Sequence, residues 1–224
     1  MKKINIILLS LILSSHSFAQ KSFSVSVLGG INNYNIKGEK DYFDKTKYIN
    51  YYENEKGYTF GVGSSLNMNK KSFFNLQLLY STLSYNSHIN DKYIFNDPQD
   101  SSKFPLYFNI NGAYLDIPIS YGLHFINKDS SNFRLYSQFG LRPSILIHSN
   151  NEIIAVNGDK IESFQPLRKF TLSPFIGLGV GYMMTKYLSI NLNVFYNQHI
   201  KPYDYGSHWF PNNIPVLFSV KYVF

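Results

Sequence analysis

Val216-Leu217-Phe218-Ser219-Val220-Lys221-Tyr222-Val223-Phe224 closes the chain. Val216, Phe218, Val220, Tyr222 and Phe224 alternate with a face that carries Ser219 and Lys221. A period of two is the mark of a strand, because successive side chains leave the pleat on opposite sides. An unbroken apolar face against a partly polar one suits the wall of a membrane barrel, with lipid outside and a polar lumen within.

The other end agrees. Lys2 and Lys3 precede an apolar run from Ile4 to Leu13, interrupted by Asn5 and Ser10, and Ser17-Phe18-Ala19 supplies a small-residue cleavage pattern. Residues 1–19 therefore read as a secretory signal peptide cut before Gln20. The run falls short of the roughly 20 apolar residues a spanning helix needs, and no later segment approaches that length. A chain without such a helix can still cross a membrane as a closed barrel, where closure satisfies every backbone group. A final strand ending on Tyr222 and Phe224 resembles the sorting terminus of bacterial outer-membrane barrels.

Residues 20–224 are enough for one domain. The formal charge of +7 falls to +5 without Lys2 and Lys3. Zero cysteines exclude disulfides, thiolate metal sites and cysteine nucleophiles. Nineteen Tyr and nineteen Phe against one Trp fit β-propensity and interfacial girdles. Basic and aromatic residues also build nucleic-acid platforms, but export argues against a nucleic-acid partner.

Eight strands are predicted: 22–31, 57–68, 72–85, 112–125, 132–148, 170–184, 187–198 and 214–224. The connections alternate between long and short: 32–56, 69–71, 86–111, 126–131, 149–169, 185–186 and 199–213. Long external loops and short periplasmic turns are the rule for outer-membrane barrels. Facing follows from parity. Phe74, Leu76, Leu78 and Tyr80 face lipid, with Asn75 and Gln77 inside. Leu115, Ile117, Ile119 and Tyr121 face out; Tyr114, Asp116, Ser120 and His124 face in. Phe133, Leu135, Phe139 and Leu141 oppose Arg134, Gln138 and Arg142.

Tyr114-Leu115-Asp116-Ile117-Pro118-Ile119 resembles a strand typical of the PorT-like outer-membrane barrels of Bacteroidetes-type bacteria. Phe175-Ile176-Gly177-Leu178-Gly179-Val180-Gly181-Tyr182, followed by Leu188-Ser189-Ile190-Asn191-Leu192, is similar to that family's glycine-rich hairpin. The resemblance implies an up-and-down barrel in the cell outer membrane. Its name-giving member is associated with protein secretion, while most relatives have no assigned role.

An eight-stranded lumen is narrow enough to be filled by side chains, and lone buried charges are costly. A turn near residue 129 sets opposed residues to sum to 258, which places Asp116 across from Arg142 and His124 across from Arg134. Asp116, Arg142, Arg134 and Lys221 are thus expected to form one lumen charge cluster. Gly177, Gly179 and Gly181 begin like a dinucleotide fingerprint, but that motif needs a strand–turn–helix setting. Small-against-large filling, with Gly177 opposite Phe195, accounts for them better, and inward-facing Gly61 and Gly63 fit it too. Pro143, Pro174 and Pro215 fall near strand ends, whereas Pro118 lies mid-strand and predicts a bulge.

Catalysis finds little support. Ser207, His208 and Asp204 share one loop, and residues that close in sequence rarely converge as a triad. His88, Asp91, Asp97 and Asp100 supply residue types without a motif. His88, His124, His148, His199 and His208 have no paired metal-ligand spacing, although His148 and His199 could meet at the external rim. The expectation is a non-enzymatic barrel with a structural or loop-mediated binding role, no constitutive pore and no catalytic residue, metal or cofactor; the alternatives are a component of an outer-membrane protein-secretion apparatus, as the resemblance implies, and an outer-membrane lipid-modifying enzyme. Its partners would be outer-membrane lipids, the barrel-insertion machinery, and a protein or glycan at the external loops. Tyr34, Tyr42, Phe43, Tyr48, Tyr51 and Tyr52 in the first loop suit such contact, but folding back onto the barrel rim is the favoured reading.

Overall fold

The computed structural model describes residues 22–35, 50–54, 56–89, 106–126, 132–154, 160–163, 167–200 and 212–224. Eleven strands are assigned: β1 (Phe23–Asn35), β2 (Asn50–Asn54), β3 (Lys56–Asn67), β4 (Ser72–Ile89), β5 (Leu106–Asp116), β6 (Ile119–Ile126), β7 (Phe133–Ile154), β8 (Lys160–Ser163), β9 (Phe170–Met183), β10 (Leu188–Gln198) and β11 (Asn212–Val223). All pairings are antiparallel. β5 and β6 together make one interrupted strand, flanked by β4 and β7 along its whole length. The path β1–β3–β4–β5/β6–β7–β9–β10–β11 then returns to β1, an eight-stranded closed barrel.

The terminal strand closes the wall. β11 pairs with β1 from Ser24↔Val223 to Asn35↔Asn212, and the Phe224 N–H donates to the Phe23 carbonyl at 2.9 Å. Facing follows the predicted parity. Leu76 is 43% exposed and Gln77 7%; Leu141 is 48% exposed and Arg142 6%. An inverted pattern of this kind, apolar out and polar in, is stable only in lipid.

Pro118 departs from expectation. Residues 117–118 carry no strand assignment, yet the register is the same on both sides of them: Leu79↔Asp116 and Leu76↔Ile119 against β4, Asp116↔Ser144 and Ile119↔Leu141 against β7. No residue is inserted, so the predicted bulge is absent. The proline carbonyl still accepts from the Gln77 N–H at 2.9 Å, and Ile117 donates to the Pro143 carbonyl at 2.9 Å. One missing donor interrupts the ladder without bending it. The register shifts lie instead at Ala113/Tyr114 and His124/Ile126. The first inserts Ile147 into β7, and the inward parity of that strand changes from even to odd, leaving Asn151 buried.

The wall is uneven in height. β4 has 18 residues and β7 has 22, against 11 for β10. Their far ends take on β2 and β8 as extra partners, so β2, β4, β5, β7 and β8 form a five-stranded sheet beyond the barrel. These segments fall partly within the predicted loops 32–56, 86–111 and 149–169. Backbone pairing extends them as strands although their polar Asn, Ser and Tyr content lacks the alternating pattern.

Candidate functional site

The lumen is stacked in four layers, two polar and two apolar. Nearest the short turns lies a polar layer. The Tyr136 hydroxyl donates to Asn193 Oδ1 at 2.8 Å, and Gln138 Nε2 donates to the same oxygen at 3.1 Å. Gln138 Oε1 accepts from Asn75 and from Ser120, both at 3.3 Å. Above it, Leu28, Leu79, Phe175, Phe195 and Leu217 form an apolar plug, with the Phe175 and Phe195 rings edge to face at 5.4 Å.

A second polar layer follows. Arg142 Nη2 donates to Asp116 Oδ2 and, at 2.9 Å, to Ser81 Oγ. Ser81 and Thr59 hydroxyls lie 2.9 Å apart, and Thr59 Oγ1 accepts from Asn32 Nδ2. This network crosses β7, β5, β4, β3 and β1. Next to it, Ser173 Oγ and His199 Nδ1 are 2.6 Å apart, and Asn197 donates to Asn213 at 2.8 Å. The top is apolar again: Tyr34, Leu83, Ile110, Tyr114 and Leu167, with Leu146 packed against them. Leu167 lies between β8 and β9 in the chain, is 1% exposed and packs into this layer.

Glycines set the fit. A Cβ at Gly177 would strike the Phe195 ring, and one at Gly179 would strike the Tyr136 ring. Gly177 pairs with Phe195 as the sequence suggests. The internal cavities lined by Leu217 and Arg142, and by Lys221 and Asn193, measure about 10 and 20 Å³. Each is room for about one water, which needs roughly 10–15 Å³.

The predicted charge cluster divides in two. Asp116 and Arg142 are ion-paired and buried. Their strand register differs from expectation, however. Opposed residues sum to 260, so Asp116 faces Ser144 and His124 faces Tyr136. The long guanidinium reaches Asp116 along the diagonal. Arg134 sits eight residues below Arg142 on β7, about 26 Å along the strand. Lys221 lies at the same low end, its Nζ 5.7 Å from the Phe73 ring centroid, with the apolar plug between it and Arg142. The four residues are therefore not one cluster.

Tyr222 faces outward, stacks on Tyr187 at 6.2 Å and meets the Phe224 ring at 5.0 Å. Phe224 stacks on Phe23 at 6.0 Å. Tyr34 turns inward and donates to the Thr82 carbonyl at 2.8 Å. The remaining first-loop aromatics, and Asp204, Ser207, His208, Asp91, Asp97 and Asp100, lie outside the described residues or have side chains that do. His148 is exposed while His199 is buried, so they do not share a site. No group of three metal-ligating side chains occurs among the described residues.

A closed eight-stranded barrel, apolar outside and packed inside, defines a small membrane-spanning barrel protein. Residues 18–201 match the outer membrane protein beta-barrel domain, and the chain belongs to that family. Among solved structures it is similar to the outer membrane protein OprG from Pseudomonas aeruginosa, with a TM-score of 0.52 and 13% identity, over 91% of this chain and 97% of that one. Neisserial surface protein A gives a TM-score of 0.48 and 12% identity, over 90% and 97%. At these identities the likeness to OprG speaks to the fold alone. Comparison with curated protein sequences finds no match.

Proposed function

We propose that this outer-membrane barrel does not conduct and serves a structural or binding role through its outer face. The observation that carries the reading is the four-layer lumen, in which two apolar layers, Leu28–Leu79–Phe175–Phe195–Leu217 and Tyr34–Leu83–Ile110–Tyr114–Leu167, interrupt any water path. The five-stranded sheet beyond the barrel supplies a rigid surface for a protein or glycan partner. Its Asn111 Nδ2 donates to Asn109 Oδ1 at 3.0 Å, and Ser84 Oγ donates to Asn111 Oδ1 at 2.8 Å, which orders a polar amide face. Purified protein in planar bilayers is expected to give no current steps; steady conductance would overturn the filled lumen.

A role in protein secretion is the second reading, supported by the PorT-like segments around Tyr114–Ile119 and Phe175–Tyr182. Those residues are also accounted for by packing, since Asp116 answers Arg142 and Gly177 makes room for Phe195. Gene deletion that leaves export of secreted proteins intact would remove this reading. Cleavage of residues 1–19 belongs to the same proposal, with Gln20 as the expected first residue of the protein in the membrane.

A further inference from the structure

The short-turn end of the lumen gathers positive charge with no acid beside it among the described residues. Lys221 reaches from β11 across the lumen, and its Nζ stands 5.7 Å from the ring centroid of Phe73 on β4. Arg134, two residues from Tyr136 on the same face of β7, adds a second charge that acts on both Lys221 and His124. The His124 ring lies 4.9 Å from Phe73, and its buried Nδ1 has no hydrogen-bond partner. Lys70 and Lys71 on the β3–β4 turn and Lys186 on the β9–β10 turn are exposed on opposite sides of this opening. Glu53, Glu152 and Glu162 lie on the far sheet, and Asp116 is paired above the apolar plug. Asp129, between β6 and β7 in the sequence, lies outside the described residues.

Lys221, Asn193 and Ser219 line the lower cavity of about 20 Å³, which has room for about one water. Its amide acceptors are taken. Asn193 Oδ1 accepts from Tyr136 and Gln138, Gln138 Oε1 from Asn75 and Ser120, and Asn75 Oδ1 from the Ser65 hydroxyl at 3.3 Å. Its donors are not. Two donors fix Asn193 Oδ1, which leaves Nδ2 of that amide without a partner. Ser219, 3% exposed, and Lys221 Nζ likewise have no hydrogen-bond partner. A water placed there must donate as well as accept. An anion only accepts, and it supplies the counter-charge that a buried ammonium lacks.

We propose that this cavity binds a small monovalent anion of chloride size, held by Lys221 Nζ, Asn193 Nδ2 and Ser219 Oγ. The short-turn end of such barrels faces the periplasm. Arg134 and the lysines of the two turns raise the concentration of anions at the opening, because charge of one sign around a narrow mouth focuses the field. The Leu28–Leu79–Phe175–Phe195–Leu217 plug closes the inner side, so the ion enters and leaves by the same end.

The test is the line width of the chloride nuclear magnetic resonance with the full chain in zwitterionic micelles, where exchange with a protein site broadens the line of free chloride. Saturable broadening is expected, displaced by bromide but not by gluconate, which is too large for the cavity. Lys221→Met removes a charge-assisted hydrogen bond and should reduce the excess width about tenfold. Ser219→Val removes a donor and takes up the space, and should reduce it about threefold; it gives the readout should Lys221→Met fail to fold, as judged by circular dichroism. Undiminished broadening in the variants that fold, or displacement by gluconate as readily as by bromide, would overturn the proposal. So would a loss in Lys71→Ala equal to that in Lys221→Met, which would put the chloride on the exposed turns. Broadening confined to Asp129→Asn would show that Asp129 already answers these cations, and would overturn it as well.

Discussion

The two polar layers of the lumen solve the problem of internal charge in different ways. In the upper layer, Asp116 at 1% exposure and Arg142 at 6% answer each other, and Ser81 takes a further guanidinium hydrogen bond. In the lower layer, Arg134 and Lys221 are half-buried, surrounded by Asn, Gln, Tyr and Phe, and have no acid beside them among the described residues. Depth accounts for the difference. The upper layer is closed between two apolar layers, where an unpaired charge costs several kcal/mol, whereas the lower one ends at the short turns and solvent.

The sharpest way to break this comparison is to unpair the upper layer. Asp116→Leu leaves Arg142 buried without its carboxylate and should cost about 3–5 kcal/mol in denaturant unfolding from lipid vesicles. Asp116→Leu with Arg142→Met removes both charges and should recover most of that loss. A double variant as unstable as the single one would mean that the Ser81–Thr59–Asn32 network, rather than the ion pair, carries the layer.

The partition between layers can be attacked next. Gly177 leaves room for Phe195 in the apolar plug that separates the two polar levels. Gly177→Leu should overpack the plug and cost about 1–3 kcal/mol. Adding Phe195→Ala should relieve part of this, because the pair then exchanges large for small. An unfolding midpoint unchanged by Gly177→Leu would show the plug to be loosely packed.

Much of this was legible beforehand. Parity alone orients Leu76 against Gln77 and Leu141 against Arg142, because one residue step reverses the face. The Asp116–Arg142 contact was legible despite a register two residues off, since an arginine spans a diagonal pair. The layers were harder to see. Leu79 stands between Gln77 and Ser81 on the inward face, and Leu28 and Leu217 beside Ser26 and Ser219, which is a signal, but only barrel closure brings the three leucines to one level. Leu167 carries no periodic signal at all, since it reaches the lumen from a connection. Pro118 misled for a physical reason: a missing donor interrupts one hydrogen bond, and neighbouring bonds from Ile117 and Gln77 hold the register on both sides.

The smallest expected effect belongs to the lower layer and is the most discriminating. Lys221→Met keeps the aliphatic stem against Phe73 while deleting the ammonium. The loss of a cation–π contact, worth about 0.5–2 kcal/mol, opposes relief from the like charge of Arg134, so stability should stay within about 1 kcal/mol of the parent. Arg142→Met makes the same kind of substitution in the upper layer, yet strands Asp116 and should cost several-fold more. Equal penalties for the two would mean that Lys221 has a fixed anionic partner, and Asp129, the acid in the sequence between β6 and β7, would then be the residue to replace, by Asn, in a double-mutant cycle. A small penalty for Lys221 beside a large one for Arg142 instead ties the need for a counter-charge to distance from the open end.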